Sequence, residues 1–349
     1  MKSTYLKSDV NLLCTDIETR IIPMSIHKRE KLIRLGTNPC ELLARERTPT
    51  YSDEKIYNWA MAIYKKKIAD AVREVSEQIY IRKGKEVVLV SLARAGISIG
   101  VLIKRYLEQR YNLNIPHYSM SIVGTNGMDI NALKYILKKH SPDLIQFVDG
   151  WTGKGYIQKK LKENLLDYPQ IDSDIAVLCD PGYITDIAGT HEDILVPSAT
   201  LNATVSGLLS RAVDNKDIMK KDEYFGAVFF SNLMKMDKTY DFINGLSREF
   251  NFFGCNYDCR RKRKWYNVNS IIESIINTYG IADVRQIKPG LCETFRSINR
   301  KKPDFVLINP FLDKELLLLL NCLDINTVAS EKLGNYMICG VYTDVYSDV

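Results

Sequence analysis

The chain has 349 residues, is 46% hydrophobic and carries a formal net charge of +6. That length and apolar share support a sizeable core spread over two domains and exclude a disordered or low-complexity protein, while the mild positive charge suits anionic small molecules without demanding nucleic acid. The opening segment has no apolar signal core, Arg94 interrupts the apolar stretch around 87–103, and the eight cysteines lack the dense spacing of a secreted scaffold. The expectation is therefore a cytoplasmic protein with reduced thiols and no membrane span.

The first fifty residues, with Pro23, Pro39 and Pro49, read as an irregular lead-in or hood. A long helix follows: Ser52 suits its cap, Asp53 and Glu54 its first turn, and Ile56, Trp59, Ala60, Ile63, Ile68, Val72, Val75 and Ile79 trace one face. Gly84 closes it. Next, Val87–Val90 reads as a core strand running through Ser91 and Ala93 into a tight turn at Arg94, Ala95 and Gly96, and then into an apolar-faced helix. Further strands are predicted at 118–123, 144–148, 175–179, 194–196 and 227–230, interleaved with helices or loops. This alternation predicts an α/β fold with a mainly parallel sheet flanked by helices.

The richest stretch is Ile145–Gly155. An apolar run ends in Asp149 and turns through Gly150, Thr152, Gly153, Lys154 and Gly155 towards a helix. A helix opening supplies unpaired N–H donors and a positive dipole end, so the layout predicts a phosphosugar site, with Asp149 accepting from hydroxyls. It is neither a Walker loop, because Gly155 follows Lys154 where a hydroxyl is required, nor a dinucleotide fingerprint, because the glycine intervals are in the wrong order. Ligands of doubly wound sheets sit beyond the carboxyl ends of the strands, which predicts that Arg94 and Asp149 share one rim. Asp180 is expected on the same rim, and Cys179 as a buried filler.

Near Phe250 the pattern breaks into Cys255-Asn-Tyr-Asp-Cys259 and the basic run Arg260–Lys264. The division read from the sequence is 1–248, a basic linker at 249–266, and a small three-layer α/β unit at 267–349. In that unit helices are expected at 268–279, from 293 and at 313–323, with strands at 284–287, 305–308 and 336–341. The two linker cysteines lack a second Cys/His pair, so no structural metal is expected.

Val-Asp followed by Thr-Gly-x-Gly, with Leu-x-Arg-Ala-Gly one crossover earlier, resembles the two signature loops of type I phosphoribosyltransferases. The phrases Val90–Gly96, Phe147–Gly155 and Asn202–Arg211 resemble more narrowly a bacterial family encoded near tellurite-resistance and stress operons. That family carries two labels, phosphoribosyltransferase-like protein and cysteine protease StiP. The stretch Ile287–Gly290 and the tail resemble its C-terminal Pelota-type RNA-binding domain.

The resemblance implies a type I phosphoribosyltransferase-like fold and transfer of a phosphoribosyl group to a base-like acceptor. Thr152, Gly153, Lys154 and Gly155 would hold the ribose phosphate of phosphoribosyl pyrophosphate, and Asp149 its hydroxyls. Ala93, Arg94, Ala95 and Gly96 would cradle the diphosphate with Mg2+, and Asn202, Ser206 and Arg211 would meet the acceptor. Two departures stand out: Gly150 replaces the usual second acid, and Gly124–Asp129, which corresponds to a mobile closing loop, lacks arginines. The alternatives are a cysteine protease, for which Cys179 and His191 are the one plausible pair, and a non-catalytic phosphosugar or nucleotide sensor coupled to RNA. RNA contact is expected through 260–349, including Lys288, Arg296, Arg300, Lys301 and Lys302; homodimerisation stays open.

Overall fold

The computed structural model describes residues 1–124, 126–252 and 267–343. The basic run, Cys255 and Cys259 lie outside these residues, as does Thr125 of the expected closing loop.

The lead-in contributes strands β1 (Asn11–Leu12) and β2 (Thr15–Asp16) and helix α1 (Ile26–Arg34) before the long helix α2 (Tyr51–Lys83). Thr50, rather than Ser52, caps α2: its hydroxyl accepts from the Asp53 N–H at 3.3 Å while the Asp53 carboxylate accepts from the Thr50 N–H at 2.6 Å. This reciprocal pair satisfies two donors that the helix start leaves open, which a single serine could not.

The central layer follows as β3 (Val88–Ala93), α3 (Ala95–Tyr111), β4 (His117–Val123), β5 (Gly127–Met128), α4 (Ile130–Leu137), β6 (Ile145–Trp151), α5 (Tyr156–Asn164), β7 (Ala176–Cys179) and β8 (Ile187–Thr190). Its order is β1-β4-β3-β6-β7-β8, all parallel, with β5 antiparallel on β4. Alternate residues divide between the faces. Val87 and Leu89 pack with α2 and α3, while Val88, Val90 and Leu92 pack with Leu133, Ile136 and Leu161 of α4 and α5. Both faces are covered, which is why the strands read as continuous aliphatic runs.

Two expected strands are corrected. Residues 194–196 form no strand; the pairing beside β7 belongs to β8, where Gly189 allows close approach, since a Cβ there would lie 2.3 Å from the Ala71 carbonyl oxygen of α2. The run 227–230 shrinks to β9 (Gly226–Ala227), paired with β2. Residues 197–205 form two short 3-10 turns. Helix α6 (Thr239–Ser247) ends this part.

The C-terminal part comprises α7 (Val268–Tyr279), β10 (Ile287–Pro289), α8 (Leu291–Ile298), β11 (Phe305–Ile308), α9 (Lys314–Cys322), β12 (Thr327–Ala329) and β13 (Ile338–Val341), with sheet order β10-β13-β11-β12. The expected strand at 284–287 is mostly a 3-10 turn, because Asp283 and Gln286 form their own capping box. The docking of this part on the first rests on Asp193. Its buried carboxylate accepts from Leu291 N–H at 2.9 Å and Met337 N–H at 2.8 Å, tying the starts of α8 and β13 to the segment after β8.

Burial outweighs these N–H donors and pushes the Asp193 carboxyl up from 3.8 to about 7. A carboxyl with a raised folded-state pKa contributes stability that is complete below its unfolded value and is lost as pH climbs towards the folded one. Asp193→Asn should therefore differ from wild type in unfolding free energy by an amount that changes between about pH 4 and 7, by up to about 1.4 kcal/mol per pH unit. Denaturant titrations across that range check this; a pH-independent difference contradicts it.

Candidate functional site

Beyond the carboxyl ends of β3 and β6 lies a cavity of about 510 Å³. Its walls come from the lead-in, the β3–α3 turn, the β6–α5 loop, the turns after residue 197 and the C-terminal part. Because β3 and β6 are parallel neighbours, with Ser91 opposite Val148, Arg94 and Asp149 stand on one rim and both line this space.

The Arg94 guanidinium is almost fully buried. It donates to both Glu46 carboxylate oxygens at 3.1 Å and to the Leu209 carbonyl at 2.6 Å. Glu46 belongs to the lead-in, so the hood supplies the counter-charge, and the arginine holds its carboxyl below the usual range against the opposing effect of burial. The cation read from the sequence as a diphosphate ligand is thus committed to a bidentate internal pair.

The β6–α5 loop is engaged on both sides. Thr152 N–H donates to the Cys179 carbonyl at 3.1 Å, and its hydroxyl donates to Asp180. Lys154 Nζ donates to the carbonyls of Val284 at 2.8 Å and Ile287 at 2.7 Å, while Tyr336 OH donates to the Gly153 carbonyl at 2.8 Å. Trp151 Nε1 donates to Glu293 at 2.9 Å. The glycines answer to packing: a Cβ on Gly153 would lie 2.9 Å from Glu293 Cγ, and one on Gly96 would lie 2.5 Å from the Val148 carbonyl oxygen. Gly155 has φ +81°, the left-handed turn from which α5 starts.

Ala93, Arg94, Ala95, Asp149, Thr152, Gly153, Lys154, Gly155, Asn202 and Arg211 line the cavity. Four other residues singled out in the sequence stand behind its wall. Gly96 and Gly150 sit in the turns, and Ser206 donates to the Asn202 carbonyl at 2.7 Å. Asp180 is fully buried and organises the loop after β7 by accepting from Ile184 and Thr185 N–H. Arg29 of α1 and Cys40, Arg45, Glu46 and Arg47 of the lead-in also line the cavity; the last four were not legible, because short turns and irregular chain give no periodicity from which facing can be read.

Asp149 lines this space. Enclosure pushes its carboxyl up to about 6, although the Gly150 N–H donates to it at 2.7 Å and the positive charge of Arg296 acts against the rise. Burial, with Lys288 nearby, lowers the Lys154 ammonium to about 8.

The Cys179–His191 pair weighed for the protease alternative does not form. Cys179 is 1% exposed, packs in the core and contacts the buried thiol of Cys292 from α8. His191 Nδ1 is 2.7 Å from the Asp180 carbonyl, and its ring stacks on Tyr183 at 3.8 Å. His117 is enclosed between Ser91 Oγ and the Asp9 carbonyl, and His140 meets Tyr118. Among the described cysteines, Cys40 alone lines the cavity.

Comparison with known proteins decides between the rival readings. Residues 3–247 match the family model of the Tellurite-like stress resistance cysteine protease StiP. The chain belongs to this family. Residues 267–341 match the PELOTA RNA binding domain, and the chain is 26% identical over 338 residues to the Cysteine protease StiP of Acinetobacter baylyi, covering 91% of this chain and 87% of that protein. These matches overturn the phosphoribosyltransferase reading, with its phosphoribosyl pyrophosphate and base acceptor, in favour of the protease alternative. Magnesium entered only as companion of that diphosphate; among the described residues no three His, Cys, Asp or Glu side chains form a cluster able to hold an ion. Nor is any described helix of this StiP-family chain long and apolar enough to cross a membrane.

The Arg94–Glu46 pair gives a direct test. Glu46→Ala leaves a guanidinium buried against one carbonyl and should cost about 3–5 kcal/mol of unfolding free energy, whereas Arg94→Met with Glu46→Leu should recover most of that loss. Equal losses in the single and double variants would contradict the pairing.

Proposed function

We propose that this StiP-family chain is a thiol-dependent peptidase whose substrate enters the cavity beside β3 and β6, with Cys40 as nucleophile and Asp149 as the group that moves the proton. The observation carrying this reading is the position of Cys40: among the described thiols it alone faces a space large enough for a peptide segment. A thiolate is the reactive form of cysteine, and a base normally generates it.

No histidine lines the cavity among the described residues, but Asp149 does, and its carboxyl, held near 6, covers the pH range in which imidazole usually works. Asp149 would take the Cys40 Sγ proton as sulfur adds to the peptide carbonyl, then return it to the departing amine. A water would next lose a proton to Asp149 and add to the thioester carbonyl; the C–S bond breaks, the acid leaves, and the Cys40 thiolate takes the proton back from Asp149. Cavity arginines would stabilise the oxyanion in an enclosed, poorly screened space. The C-terminal part is proposed to bind RNA, in keeping with its domain match.

Cys40→Ser should lower kcat on a fluorogenic peptide by about a thousandfold or more while leaving the thermal midpoint near wild type. Wild-type kcat/KM should fall as pH drops through about 6, where Asp149 becomes protonated. Asp149→Asn should abolish that limb and cost roughly a hundredfold or more at neutral pH. Full activity in Cys40→Ser contradicts the assignment of the nucleophile; an unchanged acid limb in Asp149→Asn contradicts the assignment of the base.

A further inference from the structure

The cavity's charge exceeds what its own acids neutralise. Ten basic and six acidic side chains line it, three of the acids being spent on Arg94, Arg47 and Arg285. The surplus is concentrated where the two parts of the chain face each other. Arg45 of the lead-in and Arg296 of α8 make no ion pair among the described residues, and Arg296 instead rests over the Trp151 ring at 5.7 Å. Lys154 is hydrogen-bonded to carbonyls only. These cations repel one another: Arg296 and Arg300 act on Arg94, and Lys288 on Lys154. An enclosed group of like charges attracts a polyanion, and its surroundings screen it poorly. At the mouth, the ring of Tyr156 is 41% exposed and anchored by its hydroxyl, which donates to the Gly124 carbonyl at 2.7 Å.

We propose that this cavity grips the sugar–phosphate backbone of unpaired RNA, with Arg45 and Arg296 on neighbouring phosphates and Tyr156 offering a face to a base. Two features select RNA over other anions. Half of the cationic surplus is carried by the part that matches an RNA-binding domain, and a cavity of about 510 Å³ admits a single strand but not a duplex. Arginine with an exposed aromatic ring is the combination that holds single strands without reading their sequence. The inference shares the cavity proposed for peptide cleavage but does not rest on thiol chemistry. An occupying strand would exclude peptide from the same space.

The test is fluorescence anisotropy of the full chain with a short fluorescein-labelled oligouridylate, titrated at several salt concentrations. Arg45→Gln with Arg296→Gln should weaken binding roughly tenfold and reduce the slope of log K against log salt by about 1.4, or about 0.7 for each phosphate no longer neutralised. Tyr156→Ala, which changes no charge, should weaken binding while keeping the slope. The Cys40→Ser variant should bind as wild type, so failure of the peptidase assignment and failure of this one are separable. Wild-type affinity and slope in the double variant would overturn the proposal. So would loss of binding only on neutralising Arg260–Lys264, or competition by uridine monophosphate as effective as that by the oligomer.

Discussion

The molecule is organised by the closeness with which its C-terminal part sits on the β6–α5 loop. Gly153 has no side chain because Glu293 occupies that space; Lys154 reaches across to two carbonyls; Tyr336 and Trp151 complete the contact from either side. Asp193 fixes the same approach from behind through two main-chain N–H groups. With these contacts in place, the ends of β3 and β6 become the floor of an enclosed space instead of an open rim. Enclosure then sets the chemistry: it raises Asp149 into the range useful for proton transfer and keeps a group of arginines poorly screened.

This arrangement also explains why the loop resembles a phosphate cradle. Glycines, a threonine and a lysine after a strand suit an anion, and they equally suit the close approach of another backbone. The two demands are chemically alike, since both need small residues, exposed main-chain donors and one long cation. Sequence alone does not separate them. The Arg94 turn is similar: its glycine is required by the Val148 carbonyl, and its arginine by Glu46 more than forty residues earlier.

What was legible follows from periodicity. The unbroken aliphatic run of 87–90 predicts a core strand, and the runs at 118–123, 144–148 and 175–179 likewise give the parallel sheet. The convergence of Arg94 and Asp149 followed from the rule that ligands gather at strand ends. Less legible were features made by irregular chain: the Thr50 cap, the Glu46 counter-ion and the placement of Cys40 in the wall. Residues 194–196 look like a strand because they are apolar, but they serve the interface, where Cys292 Sγ is hydrogen-bonded to Ile194 and Val196 main-chain groups. Short apolar runs say that a segment is buried without saying against what.

The enclosed carboxyl and the basic lining belong to one space, which the proposed peptide cleavage and the proposed RNA grip would share. Reaction of the native chain with a peptidyl electrophile, followed by mass spectrometric mapping, tests its core most directly. The account predicts one adduct, on Cys40, formed in proportion to lost peptidase activity and slowed by competing peptide. Inactivation that tracks an adduct on any other cysteine, with Cys40 unmodified, would contradict it.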